Sequence, residues 1–248
     1  ISKSLDYIKK VYPINISIIN TFNLFVFSVI FAIIVFILVF YNLKLILSSF
    51  IISIIFFILP MLFLEIIKIQ LKNKIKKSFS LYIIGFESFS KNSNDIIMAL
   101  KQIQATKPLN IFINEFNNLL NSGFEIVKAL NFLADEINIK EINIFIHLLK
   151  LCYINGGCIS KVINQFNKYY VQISSLRKKQ KEKMNYYLFI LGIIILVNIF
   201  LVFYVILKNT IYKEIIFNSI LGRVLIDFNV FLYLIIILTI MKIIKREE

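Results

Sequence analysis

The sequence predicts an all-α polytopic membrane protein with four transmembrane helices and a six-helix cytoplasmic domain of three helical hairpins. Three observations lead there. The 248 residues are 59% hydrophobic, with a mean hydropathy of +0.82, whereas a soluble domain is about 45–50% apolar. Much of that apolar content falls in four runs, each near the roughly 20 residues that a helix needs to cross a bilayer. Between the second and third runs lies a basic segment whose apolar residues recur three and four apart, as they do along one face of a helix. No alternating, strand-like run occurs anywhere.

Residues 1–21 read as a short polar cytoplasmic arm carrying Lys3, Lys9 and Lys10. Residues 22–41 form the first span. It is too long for the apolar core of a signal peptide, and no small-residue cleavage site follows, so it reads as a retained signal anchor. Asn42-Leu43-Lys44 then makes a tight turn into a second span at 45–64, with Pro60 near its end. Neighbouring helices let a membrane helix tolerate such a proline. Together 22–67 form an N-terminal transmembrane hairpin. Residues 68–185 are the helical domain, and Lys68, Lys72, Lys74, Lys76 and Lys77 lie at its start. The third and fourth spans, at 186–207 and 224–243, enclose a short polar loop and make a C-terminal pair over 186–243. A tail at 244–248 follows.

The middle segment repeats, and a period of 20–50 residues suggests a repeated supersecondary unit. In its clearest copy an apolar face at Phe112, Phe116, Leu119 and Leu120 runs into Gly123, and a second face at Ile126, Val127, Leu130, Leu133 and Ile137 begins just after. Glycine past the end of a helical face is a common stop, because it enters the left-handed region without a Cβ clash. The first copy breaks at residues 91–94. The third has an apolar face through Phe145, Leu149 and Cys152, a break at Asn155-Gly156-Gly157, and a return at Ile159, Ile163, Phe166 and Tyr170. Gly123, Gly156 and Gly157 are thus the expected structural turns.

The formal net charge is +14. The arm, the segment 65–185 and the tail hold 23 of the 28 Lys and Arg residues, and Lys242 stands at the end of the fourth span next to the tail. Positive charge stays on the cytoplasmic side of short flanks, so both termini and the middle domain are expected in the cytoplasm of a cell whose inner membrane holds the spans. The basic loop at 208–223 is the dissenting feature. Membrane anchoring accounts for the lysine excess, and no nucleic-acid partner is expected. Arg177, Lys178, Lys179, Lys181 and Lys183 precede the third span and are candidate contacts for a partner or for lipid headgroups.

Chemistry is sparse. No phosphate-cradling glycine loop, His-Glu-x-x-His or Gly-x-Ser-x-Gly occurs. One histidine, His147, and two cysteines, Cys152 and Cys158, fall short of the roughly four ligands of a zinc site, so no metal and no cofactor is expected. Asp135, Glu136 and Glu141 lie in a polar stretch between helices and read as solvated helix ends, since catalytic carboxylates need a pocket to tune them. Asp227 and Asn229 lie near the outer end of the fourth span, where an ionisable group is either a functional candidate or an interfacial residue beside Arg223. Arg223 is four residues from Asp227 on the same helix face.

Two membrane helices, a helical domain and two more membrane helices resemble the type II secretion F-domain family, in particular the inner-membrane platform proteins of tight-adherence (Tad) pilus systems. The family signature is a helix closing on a small residue and Gly, then an apolar helix ending in Ala-Leu. Here it reads Leu119-Leu120-Asn121-Ser122-Gly123 through Ala129-Leu130, and Gly156-Gly157, Val162-Ile163 and Arg177-Lys178-Lys179 follow in the family's order. Two positions depart from the pattern. Asn92-Ser93 stands where the family usually has Ala-Gly, and Ile154 stands where an acidic residue is frequent. The resemblance implies a platform without enzymatic activity, coupling a secretion motor ATPase to pilin subunits, as a homo-oligomer or paired with a paralogous platform protein. The alternative is a small transporter or intramembrane enzyme, which would place more polar groups at mid-membrane than these spans hold.

Overall fold

The computed structural model describes residues 2–11, 21–43, 45–91, 95–157, 159–208 and 219–246. Every regular element among them is an α-helix: α1 (Ser2–Val11), α2 (Thr21–Leu43), α3 (Ile46–Ser90), α4 (Ile96–Gln102), α5 (Leu109–Asn121), α6 (Ile126–Ile137), α7 (Lys140–Asn155), α8 (Ile159–Lys208) and α9 (Ile220–Arg246). Helices α2, α3, α8 and α9 are long and apolar enough to cross a membrane. Little of their apolar surface is covered by protein, which suits helices solvated by lipid. The chain is therefore an all-helical, multi-pass membrane protein.

The chain divides into two compact units. One is Gln70–Gln180; the other joins Ile1–Ile69 with Lys181–Glu248. Helices α3 and α8 each contain a boundary between units and are not interrupted there.

In the membrane unit, α2 packs on the apolar part of α3. Phe25 meets Phe57 edge-on at 5.9 Å, Phe31 meets Phe56 at 5.6 Å, and Ser53 Oγ donates to the Ala32 carbonyl at 2.8 Å. Pro60 lies inside α3 without ending it. The arm at 1–21 is not featureless. Leu5, Ile8 and Val11, three residues apart, are buried along one face of α1, and Lys9 and Lys10 sit in its last turn, where positive charge complements the helix dipole. The polar stretch expected as a loop at 208–223 overlaps helices at both ends, since α8 reaches Lys208 and α9 already includes Arg223. Lys213 lies outside the described residues.

In the 70–180 unit, one stripe of α3 at Ile75, Phe79, Ile83 and Phe86 is buried. It meets α7 and α8 through an aromatic cluster. Phe145 lies 5.2 Å from Phe79, 5.6 Å from Phe86 and 5.2 Å from Phe166, and Phe79 lies 5.5 Å from Tyr170. Tilted and edge-on pairs of this kind add about 0.5–1.5 kcal/mol each beyond their buried area.

The corners follow from local backbone chemistry. Asp95 caps α4 by accepting from the Ile97 and Met98 amides at 2.9 and 3.1 Å, which satisfies donors that no earlier turn can reach. Gly123 has φ +84°. Its amide donates to Leu120 O at 3.1 Å and that of Phe124 to Leu119 O at 3.1 Å, the paired bonds of a Schellman cap. Gly156 has φ +65°, and the Gly157 amide donates to Cys152 O at 3.2 Å. Gly157 itself does not take the left-handed conformation. A third left-handed corner, which no glycine marks, lies at Asn138, which caps α6 at φ 46°. Asparagine is among the few residues other than glycine that tolerate this region.

Candidate functional site

The charged centre of the 70–180 unit is Glu141, in the first turn of α7. Its carboxylate is the only charged group fully buried among the described residues. This corrects the expectation of a solvated helix end. Asp135 and Glu136 do lie in the last turn of α6, exposed and half-buried, but Glu141 does not share their surroundings. Ile139 and Ile142 on either side are buried, and they carry the α7 start into the core.

Two cations face this carboxylate, one at each oxygen. Lys76 of α3 lies 3.7 Å from Oε2, and Arg177 of α8 is paired with Oε1. Neither oxygen has a hydrogen-bond partner among the described residues, so the two ion pairs alone meet the charge. With two cations on one carboxylate, the buried charge keeps a partner when either of them leaves. Arg177 is itself partly desolvated, and burial lowers its pKa from the usual value. The Tyr170 hydroxyl donates to the Lys76 carbonyl at 2.8 Å, and burial pushes the Tyr170 pKa up to about 12. About three turns further along α3, Glu87 accepts from Asn167 Nδ2 of α8 at 2.6 Å. Polar contacts thus tie α3 to α7 and α8, which follow it much later in the chain.

The basic run expected before the third span is split by the structure. Arg177 turns to Glu141, whereas Lys178, Lys179, Lys181 and Lys183 are exposed along α8. Tyr186 and Tyr187, also exposed, follow one turn later, at the aromatic level that marks the edge of a bilayer.

A second polar group lies in the spans. The Tyr233 hydroxyl donates to Asn198 Oδ1 at 2.8 Å, and Asn229 Nδ2 donates to the same oxygen at 3.3 Å. These bonds join α8 to α9 as interhelical glue. Asp227 lies on a different face of α9 from Asn229, two residues away. One of its oxygens is buried with no hydrogen-bond partner.

The remaining candidates are quiet. His147 is exposed, Cys152 is a buried free thiol and Cys158 lies outside the described residues. Among the described residues no group of three His, Cys, Asp or Glu side chains is placed to hold a metal. A small cavity between Phe79, Leu100, Leu130 and Phe145 is lined by apolar surface. Tyr82, which also lines it, is held neutral as burial raises its pKa.

Comparison with protein-family models, with curated proteins and with solved structures gives no match to this chain.

Proposed function

We propose that the protein is an inner-membrane platform of a pilus-assembly or type II-like secretion machine, coupling a cytoplasmic motor ATPase to pilin subunits in the bilayer. On this reading the 70–180 unit is the cytoplasmic F-type domain of three helical hairpins, and both termini are cytoplasmic. The observation that carries the proposal is the course of α3 and α8. Each passes from the core of that unit into an apolar segment with no break, as a part that transmits displacement from a soluble motor to the membrane requires. The signature about Gly123 and the order of spans support the family resemblance.

The competing reading, a small transporter or intramembrane enzyme, draws on Asn198, Asn229, Tyr233 and Asp227. Asn229 and Tyr233 both donate to Asn198 across two helices, which consumes groups that a transport route would need.

The motor interface follows from charge. Residues 68–184 hold 18 Lys and Arg against 8 Asp and Glu, so an acidic partner surface is steered towards them. The full chain in nanodiscs should capture the host's secretion ATPase at low salt and release it as salt rises through screening. Failure to capture the ATPase at any ionic strength would remove the motor from the proposal.

A further inference from the structure

We propose that Glu141 is a two-armed latch holding α8 against α3 and α7, with Lys76 as its fixed arm and Arg177 as its releasable arm. The inference rests on the geometry of the 70–180 unit and stands whichever machine the protein serves.

The three side chains differ in their freedom. Glu141 is 4% exposed, Lys76 25% and Arg177 43%. Glu141 cannot move to water without lifting the start of α7 out of the core, because Ile139, Ile142 and Phe145 around it are buried. Lys76 is held where it is. It follows the buried Ile75 and precedes the buried Phe79 on α3, and its own carbonyl accepts the Tyr170 hydroxyl.

Arg177 has no comparable support. The last buried side chain of α8 within the 70–180 unit is Tyr170, nearly two turns earlier. Residues 174–180 are all exposed. Beyond Tyr170, the Arg177–Glu141 pair is, among the described residues, the long-range polar contact that ties α8 to the rest of the unit. Two cations on one carboxylate also ease release: when Arg177 leaves, Lys76 still balances the buried charge, so opening does not incur the full penalty of an unpaired carboxylate. The latch therefore has two states, Arg177 docked and Arg177 free, and only the second loosens the stretch of α8 that leads to its apolar segment.

Hydrogen exchange of the full chain in nanodiscs, read by mass spectrometry, tests this. In Arg177→Gln, amides of residues 172–180 should exchange about tenfold faster, the scale expected from losing one charge-assisted contact. Residues 72–80 of α3 and 140–148 of α7 should keep their protection, because Lys76 still meets Glu141. In Lys76→Met, residues 172–180 should stay protected, because Arg177 remains docked. Unchanged exchange in Arg177→Gln overturns the latch. So does equal loosening of 172–180 in both variants, which would make the cluster an undifferentiated stabiliser. Faster exchange in Arg177→Gln that extends equally to α5 and α6 also overturns it, as a global loss of stability.

Discussion

At Gly123 and Gly156 the residue choice is conformational alone. An added Cβ at either position would meet nothing within 4 Å, so any penalty for a side chain comes from the left-handed backbone. Gly123→Val should therefore lower stability by about 1–2 kcal/mol, seen as an earlier thermal transition of the detergent-solubilised protein. An unchanged transition would show that the corner tolerates an L side chain and that its glycine is incidental. The corner is legible in the sequence because a Schellman cap is a local event written within six residues. Glu141 is not. Its surroundings are set by Lys76 and Arg177, which lie 65 and 36 residues away in the chain, and nothing near Glu141 reports their approach. Arg177 misleads for the same reason: it begins a lysine-rich run, yet its partner is on α7. Asn138 offers a weaker signal, since asparagine at a helix end fits a left-handed cap but is common in this asparagine-rich chain.

Among the elements, the membrane spans are the most legible, because about 20 consecutive apolar residues match the thickness of a bilayer and little else in a folded chain. What composition obscures is where those helices stop, although the lack of any Gly or Pro between Ile159 and the third span makes the continuity of α8 legible in the sequence. Composition changes sharply at Glu65 and again before Tyr186, and a change of composition resembles a boundary. The backbone has no reason to break at either place: no glycine or proline separates Leu64 from Gly85, or Gly157 from Gly192, and α3 and α8 run on. The helix α1 is hidden by its lysines, although Leu5, Ile8 and Val11 carry a helical spacing. If α8 transmits displacement, its stiffness between the 70–180 unit and the apolar segment is the property that matters. Inserting Gly-Gly-Ser after Lys179 would interrupt the intrahelical bonds there with poor helix formers. That variant should insert in the membrane and bind the ATPase normally, yet assemble no filaments. Filaments at the normal number would remove the continuous helix from the mechanism and leave the scaffold role intact.

For the whole molecule, the all-helical multi-pass architecture is common ground, while orientation and assembly role are what the proposal adds. The lysine distribution predicts that a reporter active only outside the cytoplasm is silent when fused after Glu248 and active when placed near Asn209. The opposite pattern would invert the protein and put the 70–180 unit out of reach of a cytoplasmic motor. The platform role itself is tested most directly by removing the protein from its host and counting surface filaments by electron microscopy. Cells lacking it should make the pilin and the ATPase but carry no filaments, and the intact chain supplied in trans should restore them. Filaments of normal number and length in its absence would contradict the proposal that this protein is the platform on which they are built.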